Sequence, residues 1–336
     1  MPFRSTPLRS TRRALLGAAG ALTLPRIARA QAREIIVAEP GHLVGYLPLY
    51  LASHKGFFAE EGLSLKVLTV EGGASHTNAV LTRQAFAFIG GPEHNAFAKA
   101  KGAELRAVCN VVDRGNVYLV ARKGTAPQGR DFASFVRGKT IATGLYGGTP
   151  NSITRYLLGE WKLDARRDVT LSELATAPIF AAMRARAAEI AVVSEPILTQ
   201  GIKQGIWDEP WLNVPRELGP YAYSTLNIRL ESIQSEPGMV EGFVRAVARG
   251  LKATYADPAE AASFARREWP TAPLEDLRAT LDRTFADELW SHDGSISQAS
   301  WDTGHKVVRT ADILKSDVAY DAIIDMRFQR QVAASL

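Results

Sequence analysis

Apolar positions along the chain fall into short continuous runs and into runs spaced three and four apart. Ile35-Ile36-Val37-Ala38 is a continuous run of strand length. Leu47, Leu49, Tyr50, Leu51 and Ala52 then form an apolar helical patch, stopped at Gly56. Phe57 to Gly62 turns the chain back into a second continuous run, Leu63 to Val70. Strand, helix and strand within about 35 residues predict a βαβ unit, which needs a parallel sheet and a right-handed crossover. The alternation continues. Ser75 is read as the N-cap of a helix through Thr82, Phe86 to Ile89 as a strand, Pro92 as the start of a helix to Lys101, and Leu105 to Val112 as a strand.

Asp113-Arg114-Gly115-Asn116 interrupts this pattern, and a second set follows. Strands are predicted at Val117 to Arg122, up to Thr143, at Val169 to Leu171 and at Ile190 to Val193. Thr149 as N-cap and Pro150 as first residue start a helix between them, and Pro178 to Ala188 forms another. Tyr223 to Arg229 reads as a strand again. From Pro237 on, the pattern is helical, with core stripes at Val240, Phe243, Val244, Val247 and Leu251 and at Leu274, Leu277, Leu281 and Phe285. The fold class is therefore α/β with two lobes and an interlobe ligand cleft. One lobe is discontinuous, 33–115 plus 226–336, and the other is 116–225. Crossovers are expected near Asp113–Tyr118 and Pro220–Thr225. Ligands of open parallel sheets sit beyond the carboxyl ends of the strands, which directs attention to the loops 39–46, 71–76, 90–95, 144–152 and 194–196.

Charge changes the picture only at the N-terminus. The formal net charge is +5, but residues 1–30 hold six arginines and no acid. Taking those six from the 40 basic residues leaves 34 against 35 acidic ones, a net charge of −1, so the fold itself carries no nucleic-acid signal. Ser10-Thr11-Arg12-Arg13-Ala14-Leu15-Leu16 is a twin-arginine pattern, Leu15 to Leu24 is too short to span a bilayer, and Ala28-Arg29-Ala30 is an A-x-A cleavage site. Residues 1–30 are expected to be a signal peptide, cleaved after Ala30 following export by the twin-arginine machinery. The single cysteine, Cys109, lies in an apolar run and leaves the fold to be held by its core. No cysteine near the cleavage site offers a lipid anchor. A soluble periplasmic protein is expected, working as a monomer.

Pro48-Leu49-Tyr50-Leu51-Ala52 and Lys55-Gly56-Phe57-Phe58-Ala59-Glu60-Glu61-Gly62-Leu63 resemble the opening signature of one family. It comprises the periplasmic solute-binding proteins of ABC importers, of the thiamine-precursor (NMT/THI-like), alkanesulfonate, taurine and nitrate type. Phe135 to Ala142 resembles the family's entry to its second lobe, and Gly147-Gly148-Thr149-Pro150 its ligand loop there. Arg83 and Phe86, and Ala187 and Ala191, stand where the family has Gly/Asp pairs. The resemblance implies the type II periplasmic-binding-protein fold, a small solute as ligand and a permease at the inner membrane as partner. The pyrimidine synthase of the same group uses a cysteine-rich motif with a histidine, which a chain with Cys109 alone lacks. Nor is there a G-x-S-x-G, H-E-x-x-H or G-x-x-x-x-G-K motif. The protein is read as a binder and not an enzyme, with no cofactor.

Candidate ligand contacts are His42, Tyr46, Ser75, Glu93, His94, Tyr146, Gly148, Thr149, Asn151, Glu195 and Tyr223. The tyrosines suit a flat ring. Glu93 and Glu195 favour an amino-bearing or cationic solute such as an aminopyrimidine. The helix start at Thr149 and Arg114 suit an anion instead, so an aliphatic sulfonate, taurine or nitrate stays open. An exported enzyme, a sensor partner or a metal binder of the same fold is the remaining alternative. The metal reading rests on Glu39 with His42, Glu71 with His76 and Glu93 with His94 in consecutive loops, at a spacing that matches no metal motif and reads more simply as a polar rim.

Overall fold

The computed structural model describes residues 32–336 together with Met1 and Phe3. The twin-arginine pattern and the cleavage site after Ala30 lie outside the described residues. Two five-stranded sheets organise the rest. The first has the order β2-β1-β3-β10-β4, from β1 (Arg33–Glu39), β2 (Leu63–Thr69), β3 (Ala87–Gly90), β4 (Leu105–Arg114) and β10 (Pro220–Arg229). The second has the order β7-β6-β8-β5-β9, from β5 (Tyr118–Ala121), β6 (Thr140–Gly144), β7 (Thr170–Leu174), β8 (Ile190–Val193) and β9 (Leu212–Asn213).

The predicted βαβ unit is present: β1 and β2 run parallel from Arg33 opposite Leu63 to Glu39 opposite Thr69. The helix between them, Leu47–His54, buries Leu47, Leu49 and Leu51 completely, at about 1.5–3 kcal/mol each. Gly56 follows it at φ 77°, a left-handed conformation that glycine adopts without strain. The sheet is not wholly parallel, however. β10 inserts between β3 and β4 and runs antiparallel to both. Its residues from Tyr221 to Ile228 are all buried, because elements cover both of its faces.

The chain crosses between sheets twice. The first crossing is the short link from β4 to β5. The second runs through the helix Val214–Leu218 and Gly219, since Pro220 already pairs with Arg114 of β4. The return crossing thus precedes the expected 220–225. Gly219, at φ 66°, turns the chain directly into the strand.

Two helix starts differ from the sequence reading. Ala74, not Ser75, is the N-cap of the helix Ser75–Leu81, and Gly148, not Thr149, that of the helix Thr149–Glu160. The hydroxyl of Thr149 is engaged elsewhere, as shown below. Nor is the C-terminal region purely helical, because 289–294 runs beside β4. There Ser291 N donates to Val111 O at 3.0 Å and Asn110 N to Gly294 O at 2.7 Å. The helix Pro237–Ala256 packs tightly on Leu47–His54, where a Cβ on Gly250 would lie 2.3 Å from Pro48 O. The helix Gln298–Thr310 reaches the second sheet's side, where Lys306 Nζ donates to Tyr156 OH at 3.1 Å. Cys109 is free and buried, and burial pushes its thiol up to about 12. Among the described residues no helix is long and apolar enough to cross a membrane.

Candidate functional site

A cavity of about 100 Å³ lies where the loops at the strand ends of the two sheets meet. The first sheet contributes Pro40, Leu43 and Tyr46 after β1, Glu71 to Gly73 after β2, and Gly90 at the end of β3. The second contributes Gly144, Leu145, Gly148 and Thr149 at and beyond the end of β6, Leu174 to Thr176 at and beyond the end of β7, and Ser194 after β8. Tyr223 and Ser224 of β10 and Val117 of the first crossing complete it from behind. This is the carboxyl-end position that open α/β sheets use for ligands.

The two sets of loops are in direct contact. Thr149 Oγ1 donates to Glu93 Oε1 at 2.6 Å. A Cβ on Gly73 would lie 2.0 Å from Tyr146 O, so only a glycine permits this approach. Glu93 is 1% exposed, and its Oε2 has no partner. Burial raises its carboxyl to about 7, although the bond from Thr149 opposes the rise.

The lining is aromatic and apolar. Tyr46 and Tyr223 are buried, which holds both phenols protonated. His76 and His94 stand beside them, each 2% exposed. No lysine or arginine is among the described lining residues, and the single carboxylate, Glu71, is exposed at the rim.

Of the residues singled out in the sequence, Tyr46, His94, Gly148, Thr149 and Tyr223 border the cavity. The others lie off it. His42 is held outside, between Glu39 and Glu268 at 3.2 Å each, stacked on Tyr50 and tilted against Trp269. Ser75 sits against Gly72, whose missing Cβ would be 2.5 Å from its Oγ. Glu93 lies behind the wall, on Thr149. Tyr146 is 57% exposed, beneath the Arg155 guanidinium. Asn151 donates to Gly144 O and Glu173 Oε1 and accepts from Arg155. Glu195 is consumed by a buried network, accepting from Thr199, Thr280 and Arg283. Each of these side chains already has protein partners or faces solvent, which its place in a loop did not reveal.

The six residues of the metal alternative do not converge. Glu39 and His42 belong to the cluster around Tyr50 and Glu268, apart from the cavity. Among the described residues no three His, Cys, Asp or Glu side chains are placed to hold an ion together. Val117, Ile179 and Ser224 line the cavity from outside the loops singled out in the sequence. His76 carried a sequence signal, as part of the Glu/His pattern.

Comparison with known proteins agrees with this architecture. The model of the NMT1/THI5-like family matches residues 44–261, more than half of the chain. YtlA of Bacillus subtilis (strain 168) is 23% identical over 305 residues, covering 90% of each chain. The riboflavin-binding protein RibY of Chloroflexus aurantiacus is 26% identical over 297 residues, covering 82% of this chain and 80% of that one. The alkanesulfonate-binding protein SsuA from Xanthomonas axonopodis pv. citri, solved with MOPS bound, superposes with a TM-score of 0.72 at 15% identity, over 88% of this chain and 99% of the other. The chain belongs to the NMT1/THI5-like family and has the fold of the periplasmic binding proteins.

Proposed function

We propose that the protein is the solute-capturing component of an ABC importer, exported to the periplasm by the twin-arginine route and cleaved after Ala30. Its two lobes, 33–115 with 226–336 and 116–225, adjusted for the return crossing before Pro220, hinge at the crossings, close on one solute and deliver it to a membrane permease. The solute is a small, uncharged, single-ring nitrogen heteroaromatic of the aminopyrimidine type. The observation that carries the ligand class is the lining: Tyr46, Tyr223, His76 and His94 among apolar side chains, with no lysine or arginine among the described lining residues. Flat rings and a few polar edges favour an aromatic guest. A volume of about 100 Å³ is below the ~300–1,000 Å³ of sites for drug-sized ligands, which favours one ring over a three-ring flavin.

The second reading is a sulfonate or nitrate, favoured by the start of the helix Thr149–Glu160 at the cavity wall. Against it stands Glu93, which takes the Thr149 hydroxyl and sets a carboxylic group at that helix start.

A thermal-shift panel of aminopyrimidines, riboflavin, taurine, an alkanesulfonate and nitrate tests the choice. A ligand at 100 times its Kd adds about 2.7 kcal/mol of stability. A rise in Tm with an aminopyrimidine and none with the anions is expected. A rise with the anions alone contradicts the heteroaromatic reading.

A further inference from the structure

Glu93 is a carboxyl group buried between the two lobes with nothing to neutralise it. It is the first residue of the helix Glu93–Lys99 and is 1% exposed. Its Oε1 accepts from Thr149 Oγ1, on the other side of the cavity, and its Oε2 has no partner. A Cβ on Gly91 would lie 2.0 Å from that Oε2, so the carboxyl is pressed against the backbone of its own loop. Among the described residues no lysine, arginine or histidine pairs with it. A buried carboxylate without a cation is costly, and such a group ordinarily takes a proton instead. Oε1 already receives the Thr149 hydroxyl, which leaves Oε2 to carry it.

The groups around it leave this proton to Glu93 alone. Tyr221 and Tyr223 of β10 feel its charge, and burial holds both phenols protonated. His94 follows it in the helix, but that ring is packed by His76, Phe88 and Phe97, all of the first lobe, so its burial does not depend on the second. Thr149 comes from the second lobe, at the start of the helix Thr149–Glu160. When that lobe withdraws, water reaches the carboxyl. Closed, burial raises Glu93 to about 7; open, the ordinary value of 4.5 returns.

We propose that closure of the lobes takes up one proton at Glu93 Oε2, so that the protein captures its solute more readily at mildly acid pH than at neutral pH. The proton comes from water as Thr149 seats on Oε1, and it returns to water when the lobes part. This rests on the reading of two hinged lobes above and does not depend on which solute they hold. Proton and solute both favour the closed state, so each strengthens the binding of the other. Between pH 5.5 and pH 7.5 the closed-to-open ratio is expected to fall about twentyfold, the factor that values of about 7 and 4.5 give.

The test is small-angle scattering of the full chain without solute at pH 5.5 and pH 7.5. The wild type is expected to have the smaller radius of gyration at pH 5.5. Glu93→Gln, whose amide cannot ionise, is expected to lose the difference, and Glu93→Ala serves if Glu93→Gln does not fold. Asp113, which burial raises to about 6 at the end of β4, titrates in the same range, and Asp113→Asn is expected to keep the difference. Thr149→Val, lacking the interlobe bond, is expected to be larger than the wild type at pH 5.5. A wild-type radius equal at both pH values overturns the proposal, while a larger Thr149→Val leaves the hinged lobes standing. A pH response kept by Glu93→Gln, or lost by Asp113→Asn, overturns it too. Equal radii for every protein at both pH values overturn proton uptake and the hinged lobes together.

Discussion

Thr149 Oγ1 and Glu93 Oε1 are 2.6 Å apart, and their hydrogen bond joins the two halves of the cavity wall. Glu93 opens the helix that follows β3 of the first sheet, and Thr149 the helix that follows β6 of the second. Both residues are buried, so the bond forms away from water, where it holds the opposing loops together.

Removing the hydroxyl releases that closure. Thr149→Val leaves a buried Glu93 oxygen unpaired at a cost of about 1–3 kcal/mol. Small-angle scattering without solute is expected to give a larger radius of gyration for the variant, and calorimetry a weaker affinity. An unchanged radius would mean that the bond does not hold the loops.

The same carboxyl gives a pH signature. Its folded value is about 7, against an ordinary value of 4.5. Between those limits the folded protein binds the proton more tightly, so stability from this group is present below about 4.5 and lost as pH rises to 7. Glu93→Gln removes the loss. The difference in Tm, variant minus wild type, is expected to grow from pH 5 to pH 7.5 and stay level above. A difference that does not change with pH would contradict a buried, protonatable Glu93.

His42 gives a second loss with rising pH, in a higher window. Burial by itself would lower its pKa, but the bonds to Glu268 and Glu39 outweigh it and raise the value to about 9. A raised histidine stabilises fully below about 6.5, and the contribution is lost as pH climbs through 9. The ring is partly exposed, which limits the effect to on the order of 1 kcal/mol. His42→Asn is expected to flatten the fall of Tm between pH 7 and 9.5.

Gly73 tests the contact between loops without removing any polar group. A Cβ there meets Tyr146 O at 2.0 Å, which is backbone and cannot step aside. Gly73→Ala is expected to weaken solute binding by about tenfold, or 1.4 kcal/mol. The stability of the free protein should change by only a few tenths of a kcal/mol, because the loops can part when no solute holds them together. A binding constant equal to wild type would show that the loops separate when solute is held.

The α/β alternation was legible because continuous apolar runs such as Ile35 to Ala38 become strands covered on both faces, and spaced runs such as Val240 to Leu251 become helix stripes. The place of β10 was not, since periodicity says nothing of which sheet a strand joins or between which neighbours. The loops at the strand ends, expected from the sequence to face a ligand, do line the cavity, yet loop membership does not say where a side chain points. Glu195 and His42 look like ligand contacts in sequence, but partners 85 or more residues away, Thr280, Arg283 and Glu268, take their polar atoms. His76 shows the reverse: neither ring nitrogen has a partner in the protein, which only three-dimensional placement reveals.

The most direct test of the heteroaromatic assignment is calorimetric titration of the wild-type protein at pH 7.5 with 4-amino-2-methylpyrimidine, and separately with taurine. One pyrimidine bound per chain with no heat from taurine is the predicted result. Taurine bound at one per chain, with no heat from the pyrimidine, would contradict it and move recognition to the helix start at Thr149.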